Sequence, residues 1–137
     1  MHIEPYLFFN GRCDEAIEFY RRALGAEVTM VMRFKESPDP ASIPPGSEDK
    51  VMHASLRIGE TTVLASDGDS QGATDFRGFS LSLAAARDTD ANRMFAALAA
   101  GGRVQVPIGP TPFASRFGMV ADRFGVLWTV WTPARAQ

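Results

Sequence analysis

The run Ile3 to Phe9 is rich in β-forming side chains and breaks at Asn10-Gly11. Behind it Asp14 and Glu15 open a segment whose apolar positions fall at Ala16, Ile17, Tyr20, Ala23 and Leu24. A strand followed by an amphipathic helix is predicted. The apolar positions line one helix face, the early carboxylates suit the helix dipole, and Gly25 can supply a left-handed cap. Val28 to Phe34 reads as a second strand. Ser37 to Asp49 then collects Pro38, Pro40, Pro44, Pro45 and Gly46 with few apolar side chains, which predicts a long exposed loop. Val51 to Ile58 and Thr61 to Ala65 read as strands joined by a tight hairpin at Gly59-Glu60. Asp67 to Gly78 shows no periodicity and reads as a linker.

From Phe79 the same grammar starts again. Phe79 to Ala84 alternates serine and leucine, Asp88 or Thr89 can cap a helix, and Ala91, Met94, Phe95 and Leu98 form a helical stripe that ends at Gly101-Gly102. Val104 to Ile108, Phe117 to Asp122 and Val126 to Trp131 read as three more short strands. Each half is therefore β-α-β-β-β. Sliding the halves by 75 residues sets Ala16, Phe19 and Tyr20 over Ala91, Met94 and Phe95, and Pro5 to Phe8 over Ser80 to Leu83. The expectation is a single α+β domain over 1–137, with a first βαβββ unit at 1–67 and a second at 78–133. Neither half can bury its sheet alone, so their strands are expected to combine into one larger, curved mixed sheet.

Composition narrows the function classes. The 137 residues are 45% hydrophobic and 22% charged, ordinary values for one soluble globular domain. A net charge of −2 without any block of like charges gives no electrostatic footprint for nucleic acid or an anionic membrane, so neither is an expected partner. No apolar run approaches the roughly 18 to 20 residues of a membrane helix. Cys13 is the only cysteine and cannot form an intrachain disulfide. The start Met1-His2-Ile3-Glu4-Pro5 lacks the pattern of a signal peptide, which makes a cytoplasmic location the expectation.

Four stretches carry a family resemblance: Pro5-Tyr6-Leu7-Phe8-Phe9-Asn10-Gly11, Ala16-Ile17-Glu18-Phe19-Tyr20, Leu24-Gly25-Ala26-Glu27, and Arg116-Phe117-Gly118-Met119-Val120-Ala121-Asp122-Arg123-Phe124-Gly125-Val126. With the paired βαβββ units they resemble the PhnB-like branch of the vicinal oxygen chelate superfamily, which includes glyoxalase I, extradiol dioxygenases and bleomycin-resistance proteins. Some members of this branch carry the label 3-demethylubiquinone 3-methyltransferase. The resemblance implies a glyoxalase-like sheet with an open cup, and a homodimer. In the metalloenzymes of the superfamily it also implies a divalent ion held in the cup by first and last strands of the units. Aligned on the helices, Pro5 and Ser80 stand at two of those ligand positions. Thr129 stands at a third, and the fourth falls near Ala65 or Ser66. None is a usual ligand for zinc, iron or manganese. A one-residue slip brings in only Glu4, so no metal and no cofactor are expected.

The remaining chemistry is sparse. Strand alternation places His53 with Ser55 and Arg57 on one face, opposite Met52, Ala54, Leu56 and Ile58. His53 is either a hydrogen-bonded strand histidine or a general acid, base or donor that orients a ligand, and it is the one catalytic candidate. Arg57 is either a solvated strand arginine or a fork for a carboxylate or phosphate. No strand, G-x-G-x-x-G turn and helix of the kind that binds S-adenosylmethionine is present, and Asp67-Gly68-Asp69 lacks the rest of a calcium loop. Nothing beside Cys13 except Arg12 would activate a thiol, so a packed or capping role is expected. Ten phenylalanines, two tyrosines and two tryptophans exceed the needs of a minimal core, and some can line a cavity. Parity puts Pro5, Leu7, Phe9, Ser80, Ser82, Leu127, Thr129 and Trp131 on the cup face, with Leu81, Leu83, Trp128 and Val130 toward the helices. The predicted ligand-binding set is His53, Arg57, Ser80, Ser82, Thr129 and Trp131. The predicted function is metal-independent binding of a small molecule, flat or aromatic. The alternative is an enzyme of the same fold, of lyase, isomerase, dioxygenase or methyltransferase type, acting on a small oxygenated or aromatic substrate.

Overall fold

The structure, a computed structural model, describes residues 1–68 and 73–134. Residues 69–72 of the predicted linker, Asp69 among them, lie outside the described residues. The chain forms two compact units, Met1–Thr74 and Asp75–Gln137. The first contains β1 (Tyr6–Phe8), α1 (Cys13–Leu24), β2 (Glu27–Arg33), β3 (Val51–Ile58) and β4 (Thr61–Ser66). The second contains β5 (Leu81–Ala84), α2 (Asp88–Ala99), β6 (Arg103–Thr111), β7 (Ala114–Ala121) and β8 (Leu127–Pro133). The β-α-β-β-β order read from the sequence is present in both. The strands pair as two four-stranded mixed sheets, ordered β1-β4-β3-β2 and β5-β8-β7-β6. In each, the first strand runs parallel to the last of its unit and the other pairs are antiparallel.

The helices form where the periodicity puts them. α1 buries Cys13, Ala16, Ile17, Tyr20 and Ala23 along one stripe. It stops at Gly25, whose φ of 68° lets Ala26 donate back to the Tyr20 carbonyl. α2 buries Ala91, Phe95 and Leu98. Its N-terminus differs from the expectation: the helix starts at Asp88, behind an extended Arg87, and no side chain caps it. The Asp88 carboxylate instead accepts the Ser115 hydroxyl at 2.5 Å, which ties the first turn to β7. The 37–49 segment holds a short 3-10 turn at Pro40–Ser42, with Asp39 accepting from the Ala41 amide. It is anchored at its base by Lys35 N–H to Glu48 O and Phe34 N–H to Lys50 O.

Each helix packs on one face of its own sheet: α1 on β2 and β3, α2 on β6, β7 and β8. The core of the first unit lies in that layer, around Leu7, Phe9, Tyr20, Ala54, Leu56 and Ala65, and that of the second around Phe95, Leu98, Val120, Trp128 and Val130. Among the described residues no helix is long and apolar enough to cross a membrane.

Asp67, read from sequence as a loop residue, is fully buried. It accepts the amides of Gly11 (2.7 Å), Cys13 (2.9 Å) and Val51 (2.9 Å), joining the start of α1 to the start of β3. Cys13 beside it is also fully buried. Burial first, and then the carboxylates of Asp67 and Asp14, push its thiol well above the ordinary cysteine range, so it is a packed thiol without nucleophilic character.

Candidate functional site

With the helices on one side, the other face of each sheet is where side chains are free to meet a ligand. In the second unit the sequence parity holds. The cross-strand row Ser82–Thr129–Met119 and the row Ala84–Trp131–Phe117 lie on this open face, while Trp128 and Val130 are buried beneath α2. The polar atoms are joined in pairs. Ser80 Oγ and Thr129 Oγ1 are 2.8 Å apart, and Trp131 Nε1–H donates to Ser82 Oγ at 2.9 Å. The Trp131 ring is thereby held in one orientation beside Phe117, with the Ser82 hydroxyl and the Ser80–Thr129 hydroxyl pair along the edge of an aromatic surface. Four of the six predicted binding residues thus form one constellation.

In the first unit β1 departs from the expectation. Pro5, Leu7 and Phe9 are the residues parity assigns to the cup face, yet Leu7 and Phe9 are buried on the α1 side, and Tyr6 and Phe8 occupy the open face, 40% and 48% exposed. The cause is one residue of turn. The two helices do repeat at a spacing of 75 residues, but the path from Phe8 to Cys13 is one residue longer than that from Ala84 to Asp88. The extra residue is absorbed at Asn10-Gly11, both with positive φ (49° and 97°). A one-residue offset sends every side chain of a strand to the other face. By ladder position Phe8 pairs with Ser66 as Ala84 pairs with Trp131, so Tyr6 is the counterpart of Ser82, Glu4 of Ser80, and Leu64 of Thr129. Pro5 and Ala65 are therefore not the counterparts of Ser80 and Thr129.

His53 lies on the open face of β3 with Ser55, as alternation predicts, with Ala54 and Leu56 buried behind. Its Nδ1 is 2.7 Å from the Tyr6 hydroxyl, and the two rings meet edge-on at 5.4 Å. Tyr6 in turn stacks on Phe8, centroids 4.7 Å apart and planes within 12°. Burial, only partly offset by the Ser66 hydroxyl, holds the Tyr6 phenol above its ordinary pKa, so it keeps its proton. Arg57 is exposed at the hairpin end of β3, with its Nε–H donating to the Gly59 carbonyl at 3.1 Å. It is not joined to His53 by any hydrogen bond among the described residues. Tyr6 and Phe8 are thus the open-face residues that sequence parity misses, and the Asn10-Gly11 turn is the signal that marks them.

A metal of the kind held by metalloenzymes of this fold needs imidazole, thiolate or carboxylate donors gathered at one point. Ser80 and Thr129 supply hydroxyls that are bonded to each other. Among the described residues no three of His, Cys, Asp and Glu come together to hold an ion. The residues present do not fit such a metal.

Residues 1–131 match the family model described as 3-demethylubiquinone-9 3-methyltransferase. Protein YjdN of Escherichia coli is 35% identical, with 95% of this chain and 94% of that protein aligned. Among solved structures, protein PA1353 of Pseudomonas aeruginosa is 42% identical with a TM-score of 0.86, covering 97% of this chain and 98% of that one. A PhnB protein of Bacillus cereus, described as a putative 3-demethylubiquinone-9 3-methyltransferase, is 26% identical with a TM-score of 0.81 over 96% and 99% of the two chains. A glyoxylase/bleomycin resistance protein/dioxygenase domain from Frankia, at 15% identity and a TM-score of 0.68 over 100% and 95%, shares the fold.

Proposed function

The chain belongs to the 3-demethylubiquinone-9 3-methyltransferase (PhnB-like) family of the vicinal oxygen chelate superfamily, and from that premise we propose that it is a metal-independent small-molecule-binding protein. The observation that carries this reading is the Ser80–Thr129 hydroxyl pair, standing where the family resemblance calls for metal ligands, next to Trp131 held by Ser82. Hydroxyls beside an aromatic ring bind by hydrogen bonding and stacking, with no Lewis acid. A flat or aromatic compound with polar substituents fits such a surface. On the first unit, separately, Arg57 retains guanidinium donors for an anionic group.

The test is a thermal-shift screen of small aromatic compounds against protein treated with a chelator. The expected result is a compound that raises the melting temperature of the chelated protein, with that shift abolished in Trp131→Ala, since an aromatic contact contributes up to about 1.5 kcal/mol beyond its buried area. Stoichiometric zinc, manganese or iron that survives purification and is required for binding would sink the reading.

A second reading is catalysis at His53, favoured by its hydrogen bond to Tyr6, an arrangement that orients an imidazole for proton transfer. Transfer of a methyl group from S-adenosylmethionine, which the family's description suggests, draws no support from the site. Parallel strand pairs occur only singly in each sheet among the described residues, without the glycine-rich turn of a nucleotide-binding unit.

The protein is further proposed to be a homodimer, by family analogy and because β2 and β6 leave unpaired sheet edges with exposed Val28, Met30, Val104 and Val106. Light scattering at micromolar concentration should return twice the 14.9 kDa chain mass. A purely monomeric species would contradict it.

A further inference from the structure

We infer that Tyr6 is a positioning residue that fixes the His53 ring in the Nε2–H tautomer, so that the open face of the first sheet presents a single imidazole donor beside the Tyr6–Phe8 ring stack. The ligand chemistry this selects is a planar group carrying a hydrogen-bond acceptor, a carboxylate or carbonyl conjugated to a ring. The inference rests on the small-molecule-binding reading for its ligand but not for its tautomer.

The Tyr6 hydroxyl stands 2.7 Å from His53 Nδ1, where either group can donate, and with the phenol protonated it is assigned as the donor. A neutral imidazole that accepts at Nδ1 carries its hydrogen at Nε2. Among the described residues Nε2 has no hydrogen-bond or ion-pair partner, and the ring is only partly buried. Histidines that bind or react are commonly set in one tautomer by the bond their other nitrogen makes. Here that bond comes diagonally across β4: Tyr6 pairs with Leu64 and Leu64 with Ser55, and His53 stands two residues along β3 from Ser55 on the same face. The Tyr6–Phe8 stack supplies the flat apolar surface within the same cluster. His53 itself pairs with Met32, and the next row on the same face is Leu64–Ser55–Met30, so the donor stands in a mixed apolar and hydroxyl setting. An acceptor atom on a planar ligand satisfies Nε2–H there, whereas a cationic or donor-only group leaves Nε2–H without an acceptor.

The experiment is nitrogen-proton correlation NMR of protein labelled at histidine nitrogen, recorded at alkaline pH above the ordinary histidine range and below the raised tyrosine. His53→Ala assigns the His53 signals against those of His2. The wild type should show the Nε2–H tautomer, and Tyr6→Phe, which keeps the ring stack, should shift His53 toward a mixture of tautomers. A wild-type Nδ1–H tautomer, or a pattern unchanged in Tyr6→Phe, overturns the positioning role. In the same spectra benzoate should perturb His53 Nε2 while benzylamine should not, and Tyr6→Phe should weaken benzoate roughly three- to tenfold, as loss of one hydrogen bond implies. If the tautomer is as stated but benzoate leaves Nε2 untouched, or benzylamine perturbs it equally, the acceptor-ligand assignment fails while the positioning role stands.

Discussion

Asp67→Ala should lower the stability of the protein by about 3–5 kcal/mol, because each hydrogen bond to a charged acceptor contributes about 1.5–3 kcal/mol and two of the three donors left behind are buried. Asp67 is fully buried and receives three backbone amides, from Gly11, Cys13 and Val51, which belong to the β1–α1 turn, the first turn of α1 and the start of β3. The Cys13 and Val51 amides are buried and lose their partner when the carboxylate is removed, while the Gly11 amide is part-buried, so the loss falls below three such bonds summed. The amide donors at Gly11 and Cys13 also sit at the positive end of the α1 dipole, where a carboxylate is favourable. Asp67→Asn keeps one acceptor oxygen and should fall between alanine and wild type. Urea unfolding monitored by circular dichroism measures both. An alanine variant within about 0.5 kcal/mol of wild type, the range of ordinary surface substitutions, would refute the role.

Gly118→Val should be similarly damaging, for a steric reason. A Cβ built at Gly118 in the middle of β7 lies 2.8 Å from Phe95 Cε2, 2.9 Å from Ile108 Cα and 3.0 Å from Ile108 Cβ. Phe95 is a buried anchor of α2, and Ile108 lies at the irregularity of β6 between the pairs Val106–Met119 and Gly109–Phe117, which a shift of its backbone would disturb. Overpacking a close-packed site costs about 1–3 kcal/mol, and the branched side chain should exceed what Gly118→Ala costs. Gly109 in β6 is the matched control, since nothing lies within 4 Å of a Cβ there. Gly109→Ala should unfold within about 0.5 kcal/mol of wild type. Equal stability of the Gly118 and Gly109 variants would show that the helix layer is not packed on β7 as described.

Local pattern carries the second sheet well. Ser80, Ser82, Thr129 and Trp131 share a face because residues two apart on a strand point the same way: serine and leucine alternate over 80–83, and Thr129 and Trp131 stand two apart on β8 between the buried Trp128, Val130 and Thr132. The same rule reads His53 and Ser55 against Ala54 and Leu56. Tyr6-Leu7-Phe8-Phe9 has no such alternation. Four apolar residues in a row cannot declare which pair faces the helix, and borrowing the parity from the other half transfers an error through the longer Asn10-Gly11 turn.

What the sequence determines by itself is the succession of elements: two amphipathic helices ended at Gly25 and near Gly101, a hairpin at Gly59-Glu60, and paired βαβββ units, all set by periods and turns a few residues long. Tertiary structure alone decides that Tyr6 meets His53, 47 residues away, across the β4 strand between them, and that Asp67 becomes an acceptor for three amides drawn from two other segments. Both depend on long-range strand pairing, whose register follows from which faces can be buried together. A single residue of turn length exchanges the open side chains of a strand for its buried ones, and so decides which groups are left to meet a ligand.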